Sequence, residues 1–233
     1  MKVRTTTPPI TADAGRVRRL IAGAERALRV RYGTPTLGNK RNVVSELVYI
    51  ILSARTANSG YVRAYRALRK LFGSWERVRD ARATEVQHLL KPAGLSRIKT
   101  AQIQGALRRI SHDFGTLSGR PLRRLPDGAL EGYLAGLPGV GLKTARCVMM
   151  YAADRRVFPV DTHCITLFCK LGLLRSRPRM EEAQDLLQPL VPPAIRKSLH
   201  VAAVAHGQQT CVPNYPKCER CPIRHLCCSR GRR

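Results

Sequence analysis

The 233-residue chain carries 42 Lys and Arg against 15 Asp and Glu, a formal net charge of +27, and such self-repulsion points first to nucleic acid as a partner and second to an anionic surface. With 44% hydrophobic residues it is long enough to bury a core without cross-links. No apolar run reaches the roughly 18–20 residues that a spanning helix needs, the longest being broken by Ser45 and Glu46, and a membrane span is excluded.

In chain order, Met1 to Arg16 holds threonines, prolines and Asp13 where an export signal would be apolar. A reducing, cytoplasmic setting is expected, in which the eight cysteines point to metal or cluster binding more than to disulfides. Between Arg16 and Arg31 the apolar residues Val17, Leu20, Ile21, Ala24 and Leu28 fall on one helical face. Val43 to Ala54 is apolar nearly all round and predicts a core helix, and Tyr61 to Phe72 and Lys99 to Ile110 each predict an amphipathic one. Further helices are expected after Asp127 as N-cap, then over Lys143 to Ala153, Glu181 to Leu190 and Ile195 to His206. No segment alternates with period two, so the fold class is all-α, ending in the basic tail Arg230 to Arg233.

Four cysteines near the C-terminus, Cys211, Cys218, Cys221 and Cys227, are separated by six, two and five residues. Such a run of thiolates wraps one centre, an iron–sulfur cluster or a structural zinc. Zinc patterns usually have two tight pairs, and only Cys218 with Cys221 forms one here, which favours the cluster. Cys228 is an alternative to Cys227, while Cys147, Cys164 and Cys169 sit among apolar neighbours as core residues do.

Leu137 to Ala145 joins two predicted helices through a glycine-rich hairpin, Gly139-Val140-Gly141, followed by Lys143 and Thr144. Consecutive N–H groups there, at the start of a helix, suit a phosphate oxygen and carry no base preference. A P-loop is rejected, because Leu142 separates Gly141 from Lys143 and the preceding segment is helical.

Leu-Pro-Gly-Val-Gly-Leu-Lys-Thr-Ala, then Val160-Asp161-Thr162-His163, then His206-Gly207 leading into the four cysteines, resembles the endonuclease III family of helix-hairpin-helix glycosylases in order and spacing. Leu52-Ser53-Ala54 and Gly94-Leu95 extend the likeness from about Val43 to Cys227. The resemblance implies two helical lobes: residues 35–155 as a six-helix lobe bearing the hairpin, and residues 1–34 with 156–233 as a lobe carrying a 4Fe-4S cluster on the four cysteines. It implies Lys143 as nucleophile at the sugar C1′ and Asp161 as catalytic carboxylate, the two meeting in a cleft, and a bifunctional glycosylase and AP lyase acting as a monomer on double-stranded DNA with a damaged base or abasic site, close to the nucleoid. DNA contacts are implied for Arg55, Leu95 as wedge, Lys99, Gly139, Val140, Gly141, Thr144 and His163.

Two departures stand out. Arg55 occupies the place of the family's usual glutamine, and the stretch Ser96-Arg97-Ile98 is less polar than the family's. Oxidised or damaged pyrimidines are the expected substrates, with a mismatched base or a pyrimidine dimer as the enzymatic alternative and a non-catalytic zinc-stapled DNA-binding module as the other. Without the resemblance, Lys143 reads as a solvated or phosphate-contacting lysine and Asp161 as a helix cap.

Overall fold

A computed structural model describes residues 13–35, 38–56, 58–174 and 176–229. The basic tail and most of the N-terminal segment lie outside them. Among the described residues the chain is all-α, without strands, and no helix is long and apolar enough to cross a membrane. Twelve α-helices follow in order: α1 (Ala14–Tyr32), α2 (Val43–Ser53), α3 (Asn58–Phe72), α4 (Trp75–Asp80), α5 (Ala83–Leu90), α6 (Ser96–Phe114), α7 (Arg120–Arg124), α8 (Asp127–Ala135), α9 (Leu142–Ala152), α10 (Thr162–Lys170), α11 (Met180–Leu187) and α12 (Arg196–Gln209). They divide into two compact units, Gly38–Arg155 and the chain on either side of it.

The middle unit is built round α2. Nine of its residues are buried, as a helix apolar on every side requires. Asn42 starts it by accepting the Ser45 N–H at 3.0 Å. Helices α3, α6 and α9 pack around it, and α8 with α9 forms a helical hairpin closed by the partly buried ion pair of Glu131 and Arg146 at 2.7 Å. The expected N-cap at Asp127 is one residue late: Pro126 holds the cap position and Asp127 the first turn, where a carboxylate still complements the helix dipole.

The other unit packs α1 against α12, and α10 against α12. Val17, Ile21, Ala24 and Leu28 of α1 enter one apolar core with Phe168, Leu199, Ala203 and Ile223. The cysteine-bearing loop after α12 is anchored to that core through Ile223 and, partly buried against it, Cys221 and Leu226.

Candidate catalytic, DNA-contacting and cluster-binding residues

In the middle unit the hairpin residues come together as a tight turn. Gly136 caps α8, Gly139 has φ +74°, and α9 begins at Leu142. The left-handed backbone at 139 is one reason for glycine there; a Cβ would also fall 2.2 Å from the Gln102 side chain. Lys143 and Thr144 therefore stand in the first turn of α9, both half-buried, and the charge of Lys143 reaches the Tyr61 hydroxyl. Burial raises the Tyr61 pKa, a hydrogen bond from Tyr49 and the Lys143 charge oppose the rise, and the two tyrosine rings meet edge to face at 5.1 Å. Periodicity marked Tyr61 only as part of an apolar face.

Val140, expected among the DNA contacts, has a buried side chain, and its N–H donates to the Leu137 carbonyl at 3.1 Å, so this residue shapes the turn. Gly139 and Gly141 are exposed.

A second set of expected DNA contacts shares another corner of the same unit. Arg55 and Leu95 are exposed, with φ of +53° and +48°. Ile98 lies one turn further along, 55% exposed against 48% for Leu95. Lys99, expected as a DNA contact, is 2% exposed, and its ammonium points inward to Leu52 O, Thr56 Oγ1 and Ala93 O. Desolvation lowers its pKa. The helical period gave this away only in part, since position 99 precedes Ile103 by one turn on the buried face.

In the other unit, Asp161 caps α10, one carboxylate oxygen accepting the Cys164 N–H at 2.8 Å. The cap and the catalytic assignment are compatible, because a cap fixes the carboxylate's position. What holds the cap was not foreseen. The buried Gln184 amide of α11 bonds both backbone groups of Val160, accepting its N–H at 3.1 Å and donating to its carbonyl at 2.6 Å. His163 is half-buried against α12; a Cβ on Gly207 would sit 2.0 Å from its Nδ1, so its ring is used in packing.

Cys211, Cys218, Cys221 and Cys227 lie near enough to sense one another. Burial raises the Cys211 and Cys221 thiols, and the neighbouring thiols add to the rise in each. Among the described residues no three His, Cys, Asp or Glu side chains converge on a point fit for a single metal ion. Cys228 faces elsewhere, its Sγ 3.3 Å from the Cys169 carbonyl. Cys221 Sγ lies 3.9 Å from Nε2 of the buried His206, whose Nδ1 meets the Tyr32 hydroxyl at 2.9 Å. Desolvation, then the charge of His163, pushes His206 down to about 4, so the imidazole is neutral at neutral pH.

The family pattern described as HhH-GPD superfamily base excision DNA repair protein matches residues 48–193. The chain belongs to that superfamily. It is 28% identical over 181 residues to Endonuclease III of Thermotoga maritima, covering 78% of this chain and 80% of that protein. For Endonuclease III of Sulfolobus acidocaldarius the identity is 27% over 192 residues, covering 82% and 83%. Protein ROS1C of Oryza sativa is 29% identical over 170 residues, 66% of this chain, but the chain spans only 9% of its length. A solved non-covalent Endonuclease III–DNA complex shares the fold with a TM-score of 0.77 at 22% identity, covering 93% of this chain and 95% of that one. Superfamily membership accounts for the hairpin, since the matched span runs from α2 through α9 and into the chain beyond Asp161.

Proposed function

We propose that the chain is a DNA glycosylase of base excision repair with an associated AP lyase step, acting on double-stranded DNA that carries an oxidised or otherwise damaged pyrimidine. The observation that carries this reading is the placement of Lys143 in the first turn of the helix leaving the hairpin, within the span that matches the superfamily. The positive end of a helix dipole disfavours a cation and so favours the neutral amine that a nucleophile must be.

In the reaction proposed, the Lys143 nitrogen bonds to C1′ as the bond from C1′ to the base breaks and the base leaves. Asp161 stabilises the positive charge developing on the sugar and holds the proton given up by the amine. Opening of the ring gives an imine between Lys143 and C1′; loss of the C2′ proton then expels the 3′ phosphate by β-elimination. The nucleotide must leave the stack to be reached, at a cost of about a few kcal/mol that is least for damaged pairs. Gly139, Gly141 and Thr144 are proposed to grip phosphate, and Arg55 and Leu95 to fill the gap.

Cys211, Cys218, Cys221 and Cys227 are proposed to hold a 4Fe-4S cluster. What supports this is the run of four soft sulfur donors with a single tight pair, Cys218 with Cys221, on one short loop near the C-terminus. The cluster, when bound, supplies a stapled loop carrying Arg220 and Arg224.

The exposed Arg55 beside an apolar Leu95 and Ile98 favours a second reading of the lesion, a mismatched base or a pyrimidine dimer. Borohydride reduction in the presence of a duplex with an abasic site should trap the wild-type chain covalently, and Lys143→Ala should not be trapped. Asp161→Asn is expected to slow base release by about 10²–10³-fold. A wild-type protein that neither traps nor releases any base from a panel of lesion duplexes would leave the DNA-binding module in its place.

A further inference from the structure

Among the described residues, Lys99 is buried with no charged partner in its bonds. All three ammonium protons are used on neutral oxygens: Leu52 O at 2.7 Å, Thr56 Oγ1 at 2.5 Å and Ala93 O at 2.8 Å. An apolar side chain would fill this space at far less desolvation cost than an ammonium, so the charge calls for a reason. Its acceptors supply one. Leu52 and Thr56 flank Arg55, and Ala93 and Lys99 itself flank Leu95. Both flanked residues have left-handed backbones, at φ +53° and +48°, each a strain of about 1–3 kcal/mol that persists only where the surroundings dictate it.

The two loops are tied by more than this. Thr56 Oγ1 donates to the Ala93 carbonyl. A Cβ on Gly60 would fall 2.3 Å from the Pro92 carbonyl oxygen, so α3 and the 3-10 turn Lys91–Ala93 touch where no side chain intervenes. Lys99 lies at the centre of this contact, its ammonium bonded to both loops and to the end of α2.

We propose that Lys99 is a positioning residue whose ammonium locks the Arg55 and Leu95 loops into one body, holding both side chains outward in the conformations that fill a gap in duplex DNA. This rests on the reading of Arg55 and Leu95 as the gap-filling pair. Lysine suits the task because its three protons radiate from one atom to three separate chain segments; glutamine offers two and methionine none.

The test uses the full chain with Lys99→Met and Lys99→Gln. Amide hydrogen exchange in segments 53–56 and 93–98 should quicken by about ten-fold or more in Lys99→Met while the interior of α9 keeps its protection. Release of a damaged base from duplex should fall by about a hundred-fold, yet borohydride trapping on a single-stranded abasic oligonucleotide, which leaves no gap to fill, should stay at the wild-type level. Lys99→Gln should fall between, and it carries the test if Lys99→Met does not fold. Unchanged exchange in the two segments, exchange quickened everywhere alike, or equal loss of both activities overturns the proposal. A wild-type chain without either activity would refute the glycosylase reading instead, and the exchange pattern would still decide whether Lys99 ties the loops.

Discussion

Glu46, the carboxylate that interrupts the longest apolar run, is fully buried in α2. Its oxygens accept from the Asn39 side chain and from the Lys40 N–H, the latter at 2.6 Å. Burial nevertheless dominates and raises its pKa above the usual 4.5. The unfolded carboxyl ionises near 4.5 while the folded one holds its proton to higher pH, so the stability attached to this group is greatest below 4.5 and declines as pH rises from there through the folded value. Glu46→Gln keeps an acceptor for Lys40 and removes the charge; it should flatten that decline and change stability at neutral pH by less than about 1 kcal/mol. Glu46→Leu strands the Lys40 N–H and should cost about 1–3 kcal/mol. Urea unfolding of the three proteins from pH 4 upward would show it, and a wild-type curve parallel to that of Glu46→Gln would refute the assignment. The sequence marks such a residue as an exception; its partners lie in the loop before the helix, where no periodicity points.

At the scale of elements, legibility tracked length. The long helices α1, α3 and α6 announce themselves by their apolar periods and α2 by being apolar nearly all round, whereas α4 has six residues and α7 five, too few to repeat a face. Helix α10 was legible only as a cap at Asp161, because the Gln184 clamp that fixes Val160 comes from a different helix. The cysteine loop shows the same limit. Spacing alone leaves Cys227 and Cys228 as equals, but Cys227 adds to the raised pKa of Cys211 and Cys221, while Cys228 affects Cys169. Cys227→Ser is therefore expected to abolish the brown colour and visible absorbance of an iron–sulfur protein as purified, and Cys228→Ser to keep both. Equal absorbance from the two variants would return the fourth ligand to question, and a colourless wild type containing zinc would displace the cluster reading.

For the whole molecule, charge is the property that composition states outright and periodicity does not distribute. The excess giving +27 is carried largely by arginines outside the cores, since Arg146 and Lys99 are the only basic side chains among the buried described residues that are Lys or Arg. If duplex DNA is the partner, exposed cations displace condensed counterions, and log K falls linearly with log salt at a slope of about −0.9 per phosphate neutralised. With about six to ten such contacts, affinity for an undamaged duplex should drop by about 10³–10⁵-fold between 50 and 200 mM salt. Fluorescence anisotropy of a labelled duplex measures this directly. Lys99→Met should leave the slope unchanged, because the ammonium at 99 is spent on Leu52, Thr56 and Ala93 and has no proton left for a phosphate. A slope reduced by about one in that variant would mean Lys99 reaches phosphate after all, and a wild-type slope near zero would mean that the basic excess serves a partner other than nucleic acid.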